Sequence, residues 1–136
     1  MSTLKFPEYV KDREVYEEAG ILYTDFTDGG AAAGTYTSKI VLPAGFFIER
    51  CWLTDVTGFT NDTTAVVIVG YSGNTDGLMT GTPSVFTTAS YIDLGVPSGT
   101  QLVSTAFSPI ITVTGGADFT SINAGAMTVK IAGFMM

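Results

Sequence analysis

Residues 127–134 read Met-Thr-Val-Lys-Ile-Ala-Gly-Phe, in which Met127, Val129 and Ile131 alternate with Thr128, Lys130 and Ala132. A period of two puts the apolar side chains on one face of an extended chain, so this stretch is a strand with one buried face and one wet face. Residues 65–69, Ala-Val-Val-Ile-Val, do not alternate. A short continuous apolar strand is expected to be covered on both sides, either at the middle of two layers or by a partner chain. Outward from these two, runs of strand length lie at 21–27, 35–42, 46–56, 64–71, 85–94, 101–107 and 110–114. Between them fall turn residues: Asp-Gly-Gly at 28–30, Pro-Ala-Gly at 43–45, Gly-Phe-Thr-Asn-Asp at 58–62, Ser-Gly-Asn-Thr-Asp-Gly at 72–77, Val-Pro-Ser-Gly at 96–99 and Gly-Gly-Ala-Asp at 115–118. No helical period survives these breaks. The expected fold is all-β, an antiparallel β-sandwich of two packed sheets, jelly-roll-like.

Composition agrees. The chain has 136 residues, enough for one domain with a real core, and Thr and Gly number 21 and 16. Six Lys and Arg against thirteen Asp and Glu give a net charge of −7, which argues against nucleic acid as a partner. The first residues show no apolar core after a basic start, and the longest apolar stretches fall far short of the roughly 20 residues that span a bilayer. Cytosolic synthesis and no membrane partner are expected.

Charge is uneven along the chain, with eight of the nineteen charged residues in 1–20. That boundary predicts a charged N-terminal arm, 1–20, ahead of a sandwich domain, 21–136. Within the arm, 9–18 could form a short helix with Arg13 and Glu17 at i,i+4. Phe6, Tyr9, Val10 and Tyr16 are too few to build a core, yet enough to anchor in pockets of another chain. A frayed terminus is the plain alternative.

Catalytic chemistry finds little purchase. There is no histidine and one cysteine, Cys51, so His-based catalysis, His- or Cys-rich metal sites and an internal disulfide are excluded. Ser38 and Lys39 are adjacent in a probable strand and point to opposite faces. Cys51, between Arg50 and Trp52, reads as a buried, inert thiol. Glu49, Asp55, Asp62, Asp76, Asp93 and Asp118 show no paired spacing, so a glycosidase has no positive support. Asn61 with Asp62 and Asn74 with Asp76 could ligate calcium, but tight turns require the same residues. Gly73, Gly77 and Gly81 do not make a phosphate loop. No enzyme activity, cofactor or metal is expected.

Two features point to protein contacts instead. The loop 72–84 exceeds hairpin length and carries Leu78 and Met79, which need covering by a partner or by the sandwich itself. Phe134, Met135 and Met136 place apolar side chains at the end of the last strand, where a partner surface would cover them.

The segment Lys-Ile-Val-Leu-Pro-Ala-Gly-Phe-Phe-Ile-Glu-Arg-Cys-Trp-Leu-Thr-Asp-Val-Thr-Gly-Phe-Thr-Asn (39–61), followed by Ala-Val-Val-Ile-Val-Gly-Tyr and Ser-Gly-Asn-Thr-Asp-Gly-Leu-Met, resembles tailed-bacteriophage head decoration (cement) proteins. The resemblance covers the body from about Thr35 onward and is clearest over 39–80. It implies a jelly-roll-like structural virion protein, often a homotrimer, that binds the major capsid protein on the outer head surface and stiffens the shell. The alternative is a sandwich binding module of a head or tail fibre, presenting loops 57–63 and 72–84 to a receptor or glycan. A sugar site should show Trp or Tyr in those loops, whereas Trp52 lies within a strand and 72–84 contains neither.

Overall fold

The computed structural model describes residues 13–136, and it is all-β. The strands are β1 (Arg13–Leu22), β2 (Thr27–Asp28), β3 (Ala33–Thr37), β4 (Phe46–Thr60), β5 (Ala65–Gly70), β6 (Ala89–Asp93), β7 (Ile110–Gly115) and β8 (Ala124–Met135). They form two four-stranded antiparallel sheets, one in the order β1-β8-β4-β6 and the other β2-β3-β7-β5. Two short 3-10 turns, Tyr23–Asp25 and Phe119–Ser121, accompany them.

The core lies between the sheets; it follows the period of two in β5, β7 and β8, whereas register shifts after Ile48 and Thr54 carry the buried face of β4 on by an extra residue. Phe46, Ile48, Cys51, Leu53 and Val56 of β4 and Met127, Val129 and Ile131 of β8 are buried from one side. Ala65, Val67 and Val69 of β5 and Ile111 and Val113 of β7 are buried from the other. In β8 a glycine is required: a methyl on Gly133 would overlap the Phe47 carbonyl oxygen and the Phe46 ring.

Several expectations are corrected. The arm boundary at residue 20 is wrong on its C-terminal side, because 13–20 belong to β1, which pairs along β8 from Arg13↔Phe134 to Glu17↔Lys130. The described part of the expected 9–18 helix, 13–18, is therefore strand. The dense charge misled because charges on one strand serve neighbouring strands: Lys130 Nζ lies 3.2 Å from Glu17 and Arg13 Nη2 lies 3.0 Å from Glu49. Residues 1–12 lie outside the described residues.

The apolar run 65–69 is not central. β5 ends its sheet, with Ala65, Val67 and Val69 turned into the core and Val66 and Ile68 half-buried. Its outer edge is covered by 83–85, where Val67 N–H donates to the Pro83 carbonyl at 3.0 Å and Val85 N–H to the Ala65 carbonyl at 2.8 Å. A strand flanked in this way resists edge-to-edge pairing. The run 101–107 forms no strand and makes only isolated bridges, Leu42↔Phe107 and Phe47↔Leu102. Its first residues border the start of β4, where Ile48 N–H donates to the Gln101 carbonyl at 2.8 Å and Val103 N–H to the Phe46 carbonyl at 2.9 Å.

Candidate interaction surface

Register places the outward side chains of the β1-β8-β4-β6 sheet in rows. Arg13, Phe134 and Phe47 share one row; Val15, Ala132 and Arg50 the next; Glu17, Lys130, Trp52 and Asp93 the third; Thr128, Thr54 and Tyr91 the fourth. Residues directly opposite across strands point to the same side, so these four rows are one surface. Phe47 and Phe134 stack with ring centroids 5.3 Å apart. Val15 and Tyr91 are each more than half exposed, at 57% and 52%.

The ion pairs belong to the same surface. Arg13–Glu49 (3.0 Å), Arg50–Asp93 (2.6 Å) and Lys130–Glu17 (3.2 Å) link its strands. Asp93 is held below the usual carboxylate range, first by the Gly95 N–H at 2.9 Å and then by Arg50. Three cations and three carboxylates thus cancel here. Off these rows the described residues carry one cation, Lys39, and eight carboxylates: Glu14, Glu18, Asp25, Asp28, Asp55, Asp62, Asp76 and Asp118. Residues 1–12 contain Lys5, Lys11, Glu8 and Asp12 and sum to zero. The described residues off these rows thus sum to −7, with Asp55 among them as an exposed residue of β4 itself.

Other polar groups serve the fold. Glu18 ties the sheets together at one edge, accepting from the Tyr36 hydroxyl, from Ser38 Oγ at 2.7 Å and from Lys39 N–H at 2.8 Å. Burial alone would raise the Glu18 pKa, but these three donors outweigh it and lower it. Tyr36 is pushed up to about 12, by burial first and then by Glu18. Burial pushes the Cys51 thiol up to about 12 as well, the condition of an inert thiol. Asp62 accepts from Ala117 N–H at 3.0 Å and from Thr63 N–H at 2.7 Å, which holds its carboxyl low and pins the 115–118 turn. Asn61 Nδ2 donates to the Ser121 carbonyl at 3.0 Å, and the Asn74 backbone pairs with Tyr71 in both directions at 3.0 Å. The loops read as possible calcium ligands are thus engaged in turn geometry. Among the described residues no three His, Cys, Asp or Glu side chains cluster as a metal site.

The contact candidates separate. Leu78 and Met79 are fully buried, so as partner contacts they are corrected: the loop folds back, with Leu78 N–H donating to the Val69 carbonyl at 3.1 Å. Burying those two side chains in the chain's own core removes the apolar surface that would otherwise need a partner. Tyr16 points inward, its ring edge-on to Phe46 at 5.2 Å, so it too is corrected from anchor to core margin. Phe134 lies on the outer face, and Met135 and Met136 are exposed beside it. Phe6, Tyr9 and Val10 fall outside the described residues.

A second concavity was missed in the sequence. An open cleft of about 360 Å³ is lined by Tyr71, Phe107, Leu102 and Val103, with Ser72, Thr100, Ser104 and Thr105 around them. The Tyr71 and Phe107 rings lie 4.9 Å apart. Tyr71 and Phe107 lie far apart in the chain, so no local pattern signals their meeting. Among the described residues no helix is long and apolar enough to cross a membrane. Comparison with known families, curated proteins and solved structures finds no match.

Proposed function

We propose that this chain is a structural, non-catalytic surface protein of a virion, a decoration or cement module that attaches to the major capsid protein of a tailed-phage head and stiffens the shell. The reading rests on the sequence resemblance over 39–80. The observation that carries it further is the meeting of three features at one end of the sandwich. There Arg13, where residues 1–12 join the domain, pairs with Phe134, Phe134 stacks on Phe47, and Met135 and Met136 are exposed. An arm with Phe6, Tyr9 and Val10 would then act together with an apolar end rather than at a distance from it.

Connectivity supports the jelly-roll reading. From β3 onward the chain crosses between the sheets at every strand, and 83–85 runs antiparallel to the outer edge of β5, where a further strand of that sheet would lie. The test adds purified protein to expanded heads stripped of their decoration protein and measures the temperature of head rupture. A rise that disappears when residues 1–12 are deleted supports the proposal; no association with heads defeats it.

The cleft favours one second reading, a fibre-type binding module. Its lining is uncharged in a protein of net charge −7, and it combines two aromatic rings with four hydroxyl side chains, which suits a neutral saccharide. A glycan array decides between the two readings.

A further inference from the structure

We propose that the outer face of the β1-β8-β4-β6 sheet is a self-association surface, on which two copies of this chain meet face to face about a two-fold axis. The face offers Val15, Trp52, Tyr91 and Ala132, and its three cations are already paired within the same chain. A partner therefore has no counter-charge to supply and no bare ion to desolvate.

Charge distribution selects the occupant. The described residues off the four rows sum to −7, so contact between two copies through most of the remaining described surface brings like charges together, whereas this face meets itself without that penalty. A strongly basic partner would find its attraction on the remaining surface, away from this face. An isologous pair uses the same patch twice, which is the commonest symmetry of soluble oligomers.

Size sets the strength. Four strands about 4.8 Å apart and four rows about 6.8 Å apart give a footprint of roughly 500 Å². Stable interfaces bury about 800 Å² per partner, so this pair is weak. Long-range repulsion between two acidic bodies is what opposes it, and salt removes that repulsion.

Sedimentation velocity over about 5 to 500 micromolar protein, in low and in roughly 0.5 M salt, tests this. The expected result is a monomer–dimer equilibrium that tightens several-fold in high salt. Val15→Glu and Ala132→Glu should each weaken it at least ten-fold, while Val41→Glu and Val96→Glu, at residues 56% and 61% exposed elsewhere, should leave it unchanged. Unchanged melting temperatures show that the variants are folded; Val15 is on an edge strand and tolerates the change. A monomer at every concentration in high salt overturns the proposal. So do weakening by salt, a trimeric mass, or loss of dimer in Val96→Glu but not in Val15→Glu. The measurement uses no capsid, so failure to bind heads leaves it standing, and its own failure leaves the decoration reading standing.

Discussion

Glu18 shows how much one side chain can hold. It leaves β1 in one sheet and ends among Tyr36 of β3 and Ser38 and Lys39 just beyond it, so it crosses the sandwich edge with charge-assisted bonds. Its donors hold the carboxyl below its ordinary 4.5, so its contribution is complete above that pH and is lost as pH falls through the lowered folded value. Glu18→Gln should cost about 1–2 kcal/mol at neutral pH, discounted for partial exposure. In urea titrations the gap to wild type should close as pH drops below the ordinary 4.5; a gap independent of pH would refute the assignment. Cys51 gives a second residue-scale outcome. With its thiol fully buried and pushed up to about 12, it should react with a thiol reagent only as fast as the protein unfolds. Its burial was legible from its strand context, because position 51 shares the inward face with Leu53. The role of Glu18 was not legible, since its partners lie about twenty positions away and no local rule links a charge in a charged run to a tyrosine on another sheet.

Among the elements, β8 was readable because its period of two and its flanking turns agree, and β4 was readable as a long apolar run between turns although bulges break its period. β1 was not, because cross-strand charge pairing makes an edge strand look like a solvated arm. The consequence is measurable by truncation. Removal of 1–12 should leave the melting temperature within about a degree or two, whereas removal of 1–22 takes away β1, the buried Ile21 and the Glu18 tie, and should prevent folding. Circular dichroism on both truncations checks this. In β8, Gly133→Ala forces a methyl into the Phe47 carbonyl and should destabilise by about 1–3 kcal/mol in chemical denaturation. The loop 72–84 was ambiguous in sequence because Leu78 and Met79 are equally suited to a partner or to a core. Backbone pairing with β5 and with Leu94, whose carbonyl accepts from Thr80 N–H at 2.8 Å, decides for the core.

For the molecule as a whole, the two-sheet architecture followed from strand count and punctuation, but the neutral face did not. Its charges come from four strands, and only register brings Arg13, Arg50, Asp93 and Lys130 onto one surface. The same register joins the first strand to the last. Nearly the whole chain must be looped before β1 can find β8, so refolding should take milliseconds to seconds, as stopped-flow fluorescence of Trp52 would report. That pairing also fixes how the domain answers to mechanical load. Arg13 and Phe134 sit opposite each other at one end of an antiparallel ladder, so tension applied through residue 13 and residue 136 pulls across the strands rather than along them. The rungs then fail one after another, as in a zipper, instead of sharing the load. Tethered by those two points the domain yields at low force, but held by one of them and braced elsewhere it is loaded in shear and resists.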